Sequence, residues 1–230
     1  MTTNRMFRSL LILCVALTMT ASALTAGNVA LITKTIQDVS RQSGENTPWL
    51  KAAKGASLLS GDRVQTGRRS LAVVKFLDNS IVRVRELSQL TLVTEKAGTG
   101  ILRTVSIKQG GYGFEVTKQQ NDQFRLTSPT SVASIRGTRG TFAGGNGNDT
   151  LIVTEGLVNL RNSASGKEVD VAAGEIGFSN DDGTVTSRKA TAQELADANR
   201  TANGGTDNEL KLELRDGQGN KKDLKLRFKQ

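Results

Sequence analysis

Apolar and polar residues alternate in short runs along most of the chain, from Val29 to about Val185, as in Ala72, Val74 and Phe76, then Val82 and Val84, then Leu90 and Leu92. A period of two places such side chains on one face of a strand, and the Gly, Asp, Asn and Ser between runs mark turns. A longer motif occurs three times, over Val105–Phe114, Leu151–Leu160 and Val169–Phe178. In each, two apolar residues two apart precede two polar or small residues, a glycine, and a second apolar pair. The five-residue step across the glycine reverses the phase of the alternation, so a turn or bulge has to sit there. Gly110, Gly156 and Gly174 would supply the positive φ that such a corner demands. The predicted fold is all-β, a solenoid-like or two-layered domain of many short strands.

Two segments near the C-terminus depart from this pattern. Thr191 and Glu194 form a Thr-x-x-Glu capping box ahead of good helix formers over Ala192–Asn199, predicting one short helix. Asn203–Asn208 is polar and glycine-rich, as a linker would be. Leu210, Leu212 and Leu214 then alternate with charges, as do Leu224, Leu226 and Phe228, with Asp216–Asn220 between them. That is a β-hairpin tail with one apolar face. A lone two-stranded hairpin is marginal in water, so the face either packs on its own domain or docks another protein. The expected organisation is a leader at 1–23, the all-β domain at 24–188, helix and linker at 189–205, and the hairpin at 206–230.

Residues 1–23 read as an export signal, with Arg5 and Arg8 before the apolar stretch Leu10–Leu17 and small residues at Ala21-Ser22-Ala23. Cleavage is expected before Leu24, with a second candidate site after Ala26. The apolar run is shorter than the ~20 residues of a membrane span, which weighs against an uncleaved anchor, and no transmembrane segment is expected after cleavage. Cys14, the only cysteine, lies in the leader behind Leu13, not the small residue a lipoprotein site wants. The mature chain should carry neither disulfide nor lipid. It keeps 29 basic against 22 acidic residues, a net charge of +7, once Arg5 and Arg8 are removed. For an exported chain the anions in reach are lipopolysaccharide, acidic glycans or an acidic protein surface rather than nucleic acid, and a merely solvated basic exterior is the alternative.

The absence of histidine, and of cysteine beyond the leader, excludes Ser-His-Asp and Cys-His catalysis and the usual zinc sites. Seven Phe, one Trp and one Tyr are too few for the aromatic platforms on which sugars or single strands stack. Asp181-Asp182 lacks the six to eight oxygens of a calcium site. No cofactor, metal or catalytic residue is therefore expected.

From Trp49 to Leu92 the chain reads Trp49-x-x-Ala52-x-x-Gly55-x-x-Leu58-x-x-Gly61-Asp62-x-Val64-x-Thr66-Gly67, then Ser70-x-Ala72, Phe76-x-Asp78, Ser80-x-Val82-Arg83-Val84 and Ser88-x-Leu90-x-Leu92. With Ser128-Pro129-Thr130-Ser131-Val132-Ala133-Ser134-Ile135-Arg136-Gly137-Thr138, Glu155-Gly156 and Ala173-Gly174-Glu175, this resembles the FecR domain over about 140 residues. Asn79 stands where that family commonly has glycine, and Asn tolerates the left-handed turn. The resemblance implies an all-β exported domain that recognises another protein and catalyses nothing. The family's iron-regulatory members carry a cytoplasmic anti-sigma segment and a transmembrane helix; this chain has a signal peptide in their place, which puts direct control of transcription in doubt.

Six arginines are candidate binding residues. Arg136 and Arg139, in Arg136-Gly137-Thr138-Arg139-Gly140-Thr141, could grip carboxylates or phosphates in bidentate fashion. The structural alternative is a strand corner whose Arg136 pairs internally with an acid such as Glu155. Arg68, Arg69, Arg83 and Arg85, with Lys108 and Lys118, would form one basic face or simply a soluble one. Gly61, Asp62, Gly67, Asp78, Gly110, Gly137, Gly156 and Gly174 are expected to make turns, the aspartates accepting backbone hydrogen bonds two residues on. Trp49 is expected to anchor the core. The reading is a non-enzymatic periplasmic sensing or interaction module of a Gram-negative envelope, its partner an outer-membrane receptor or a membrane signalling protein. A binder of acidic glycan or lipopolysaccharide is the alternative, and a polysaccharide lyase using Arg136 beside a carboxylate is a third.

Overall fold

The computed structural model describes residues 27–203, 209–215 and 221–227. The expected leader, residues 204–208 of the linker, residues 216–220 between the hairpin strands and Phe228 lie outside the described residues. In chain order the strands begin with β1 (Ala30–Ile36), β2 (Val39–Gln42), β3 (Leu50–Lys51), β4 (Ser57–Leu58), β5 (Arg63–Thr66) and β6 (Leu71–Phe76). Then come β7 (Ile81–Val84), β8 (Gln89–Ala97), β9 (Gly100–Glu115), β10 (Gln123–Thr127), β11 (Ser131–Ile135) and β12 (Arg139–Gly144). β13 (Asn148–Glu155), β14 (Leu157–Asn162), β15 (Glu168–Ala172), β16 (Glu175–Asn180) and β17 (Val185–Lys189) lead into helix α1 (Ala192–Ala202). Among the described residues, β18 (Glu209–Arg215) and β19 (Lys221–Arg227) pair only with each other.

The strands lie in two layers. A front layer runs β4-β1-β6-β7-β9-β12-β13-β16-β17. A back layer runs β3-β2-β5-β8-β9-β10-β11-β14-β15, and only β9–β10 is parallel. β9 belongs to both, its first part pairing with β8 and β10 and its last with β7 and β12. It changes layer at Gly110, whose φ of +112° is closed to most side chains. Between the layers lies one apolar core, to which each period-two run contributes, and Phe76 meets Phe124 across it edge to face at 5.2 Å.

All three motif glycines sit at layer crossings with positive φ, as the phase reversal requires: Gly110 within β9, Gly156 between β13 and β14, Gly174 between β15 and β16. The third repeat nevertheless departs from the other two. Its corner is two residues, Ala173–Gly174, instead of one, so Gly177 faces the core beside Leu151 while Ile176 pairs with Ile152 on the outer face. Ile176 is still buried, together with Ala198 and Ala202, outside the main core.

α1 begins at the predicted capping box and runs three residues beyond the predicted Asn199. It lies on the front layer against β9, β12 and β13. Gly113 makes that approach possible, since a Cβ there would stand 2.6 Å from the Thr201 carbonyl oxygen and 2.9 Å from the Ala202 Cα. Glu194 fixes the helix start. It accepts from the Thr191 amide at 2.8 Å and from both terminal nitrogens of Arg188, at 3.0 and 2.8 Å. The Arg188 guanidinium, with the Thr191 amide, holds the Glu194 carboxyl down at about 2, below its ordinary 4.5. A lowered carboxylate pKa contributes stability that is complete above the ordinary value and is lost as pH falls. The amide NMR shifts of Leu195 and Ala198 should therefore titrate between pH 4.5 and about 2 as the helix start loosens, and Glu194→Gln should abolish that step.

Trp49 is only half-buried beside edge strand β3 and belongs to no core cluster, contrary to its expected role. Its segment lies outside the regular alternation and leaves the core at Gln42. Gly67 opens the corner between β5 and β6 without positive φ; its Cβ position lies 3.0 Å from the Asp38 Cβ, so it serves close approach. Gly61, Gly137 and Asn79 do adopt positive φ. Asp78 accepts from the amide of Ser80 two residues on, at 2.9 Å, but Asp62 caps backwards, accepting from Leu59 at 3.0 Å.

Candidate functional site

Three layer-changing corners meet at the Gly110 end of the sandwich: Gln37–Asp38, Gly67–Ser70 and Arg85–Ser88. Short polar side chains lace them together. Ser70 Oγ accepts from the Asp38 amide at 3.0 Å, the Arg69 amide donates to Glu86 Oε2 at 2.7 Å, and Ser88 Oγ accepts from the Gly111 amide at 3.0 Å. Beside Gly111, the fully buried Tyr112 places its hydroxyl 2.7 Å from the Gln89 carbonyl and 2.6 Å from that of Gln109. Burial pushes that phenol above its ordinary 10, so it acts as a fixed donor.

This lacing holds an unusual backbone. Among the described residues, the non-glycine positions with positive φ are Gln37 (56°), Arg69 (53°), Leu87 (53°) and Asn79 (67°). Asn79 sits in the β6–β7 turn, where Asn is tolerated, but the other three line one cleft. A left-handed residue with a Cβ costs roughly 1–2 kcal/mol, so three in one place have to be imposed by the surrounding bonds. Leu87 is also 52% exposed.

That cleft, of about 540 Å³, shares Arg69 and Glu86 with a larger one of about 610 Å³ that runs under the C-terminal half of α1. Leu71, Phe142 and Ile152 give the larger cleft an apolar floor, while Arg69, Arg85, Glu86 and Asp197 stand around it. Together they make a groove with apolar depth and a mouth of mixed charge.

The structure gathers only three of the six candidate arginines here: Arg68, Arg69 and Arg85. Arg83 and Arg139 lie on the outer face of the front layer, where both approach Glu115, at 3.7 and 3.1 Å, and Arg139 also reaches Glu155 at 3.7 Å. Burial pulls the Arg83 guanidinium below its ordinary value, and Glu115 opposes that pull. Arg136 stands at the opposite end and donates to the Gln119 carbonyl at 3.1 Å. Internal pairing with Glu155 thus falls to Arg139, because the strand starting at Arg139 lies opposite Glu155 in register. The expected single basic face divides as well: Lys108 is at the Gly145 turn and Lys118 lies against Gly137, at opposite ends.

Sequence reasoning missed Arg103. Its guanidinium lies between the layers, 2.8 Å from Asp122 and 3.4 Å from Asp78, with side chains 8%, 21% and 5% exposed respectively. It closes the Gly156 end as Asp149 closes the other, where Asp149 accepts from Ser131 at 2.6 Å and also from Ser128. Arg103 has the parity of Val105 and Ile107, and an arginine in the apolar phase was the available signal.

The family model described as FecR protein matches residues 62–159, the span holding two of the three strained corners, the β9 crossing and the floor of the groove. This span is a FecR domain. The two-layered fold extends past it on both sides, with β1 to β4 before and β15 to β17 after. No curated protein matches the chain. Two crystal structures, at 1.65 and 2.50 Å, of a proposed anti-sigma factor from Parabacteroides distasonis ATCC 8503 share the fold, each with a TM-score of 0.50 at 14% identity. The likeness covers 58% of this chain and 62% of that one, so the chain spans less than two thirds of that protein's length. At this identity it is the fold that is shared. No helix among the described residues is long and apolar enough to cross a membrane.

Proposed function

We propose that this FecR domain is a non-enzymatic sensing or interaction module, exported to the periplasm of a Gram-negative cell, that works by contact with another envelope protein. The observation that carries the reading is the exposed, left-handed Leu87 at the mouth of the groove, held there with Arg69 and Gln37 by bonds to Glu86, Ser70 and Ser88. Strain of this kind persists only where surrounding structure imposes it, and an exposed leucine contributes little to the fold that holds it. The mixed charge of the mouth favours a polypeptide partner, such as an outer-membrane receptor or a membrane signalling protein. A polyanionic glycan or lipopolysaccharide would meet Asp38, Glu86 and Asp197 beside the three arginines.

The test is crosslinking of the tagged protein in its own envelope, followed by mass spectrometry, comparing wild type with Leu87→Gly. Glycine relieves the left-handed strain, so the variant should be more stable by up to about 1 kcal/mol. Recovery of the protein partner should nonetheless fall at least tenfold. Undiminished recovery from Leu87→Gly, or recovery of acidic glycan or lipopolysaccharide in place of a protein, would overturn the proposal.

A further inference from the structure

The hairpin β18–β19 is in register with Leu210 opposite Leu226, Leu212 opposite Leu224 and Leu214 opposite Lys222. Directly opposed residues share a face of the ribbon, so one face carries five leucines and a lysine. The other carries Glu209, Lys211, Glu213 and Arg215 with their partners Arg227, Lys225, Asp223 and Lys221. Two strands alone are marginal in water, and a leucine face of this kind calls for a cover.

The covalent path limits where that cover lies. α1 ends at Asn203, directly after the Ala202 that packs on Gly113 of β9. Six residues on is Glu209, a reach of at most about 20 Å. Past β9 the front layer continues through β7 and β6 to β1, three strand spacings or about 14 Å. The outer face of the back layer lies on the far side of the core, beyond another sheet-to-sheet spacing of about 10 Å.

The surface within reach is apolar and incompletely covered. On the outer face of β1, β6 and β7, Leu31 pairs with Lys75, Lys75 with Ile81, and Val73 with Arg83. Leu31 is 38% exposed and Leu77, where β6 ends, is 65% exposed, with Val73 and Ile81 half-buried beside them. In their midst Arg83 Nη1 is buried with no acceptor among the described residues. We propose that β18–β19 docks within its own chain on this face, beside α1, setting its leucines over Leu31, Val73, Leu77 and Ile81. The Leu31–Leu77 part of the front face is then an internal interface, and the groove at the Gly110 end remains the surface open to a partner. This inference does not depend on the proposed function, because Leu31, Val73, Leu77 and Ile81 line neither cleft of the groove.

The experiment places a photoactivatable benzophenone amino acid at Leu31 or Leu77 in the full exported chain, with Ser106 on the outer face of the back layer as control. The expected adduct migrates as a monomer and maps to residues 209–227 of the same chain. The Ser106 probe should capture none of that segment, and Leu212→Asp with Leu224→Asp should lower the adduct at least tenfold. Adducts to a second copy or to another envelope protein, or no adduct within 209–227, would overturn the docking.

Discussion

Gly110→Ala is expected to cost about 2–5 kcal/mol, a large part of the 5–15 kcal/mol by which domains of this kind are stable. Two costs add. A Cβ at φ +112° is strained by roughly 1–2 kcal/mol, and this one would stand 2.4 Å from the Ser88 Cβ and 2.6 Å from its Cα, so backbone has to move, at ~1–3 kcal/mol more. Moving Ser88 also breaks its bond from the Gly111 amide and loosens the corner that holds Leu87. Gly174→Ala is the control within the same motif, for it shares the positive φ, +83°, but meets nothing within 4 Å, and should lose only the strain. Gly156→Ala, with φ +89° and 2.8 Å from the Gly137 carbonyl oxygen, should fall between them. Urea unfolding of the three variants measures the order, and equal losses would mean that conformation alone governs these corners.

The corners were legible in the sequence because a phase reversal in a period-two pattern has one structural meaning, and glycine is the residue that allows it. The facing of the segment after a corner was less legible. The motif repeats Tyr112 and Phe114 as Ile176 and Phe178, but one more corner residue turned that pair outward. The helix itself was readable from its cap, since Thr191 and Glu194 interact within a single turn. The groove was not. It arises where Gln37, Arg69 and Leu87, far apart in sequence, come together, and neither Gln, Arg nor Leu signals a left-handed backbone. Grouping the arginines by sequence proximity therefore joined Arg83 to Arg85, although one pairs with Glu115 on the sheet face and the other turns the corner into the groove.

Replacing Arg103 by methionine is expected to cost about 3–5 kcal/mol, because Asp78 and Asp122 then face each other across the layer gap without their cation. Methionine keeps much of the stem that fills the space, so the loss reports charge more than volume. The pH dependence separates the two. In the wild type Asp122 is held below its ordinary 3.8, chiefly by its hydrogen bond from Arg103, and that contribution is present above this value and lost as pH falls below it. Arg103→Met removes that hydrogen bond from Asp122, so this pH-dependent contribution is absent from the variant. The difference between wild type and variant should accordingly be largest near neutral pH and narrow as pH falls below about 4. Asp78→Asn keeps an acceptor for the Ser80 amide while removing one charge, so it should restore part of the stability of Arg103→Met at neutral pH. A loss that does not change with pH and is not recovered by Asp78→Asn would assign Arg103 to packing alone, leaving the closure of that end to the apolar residues around it.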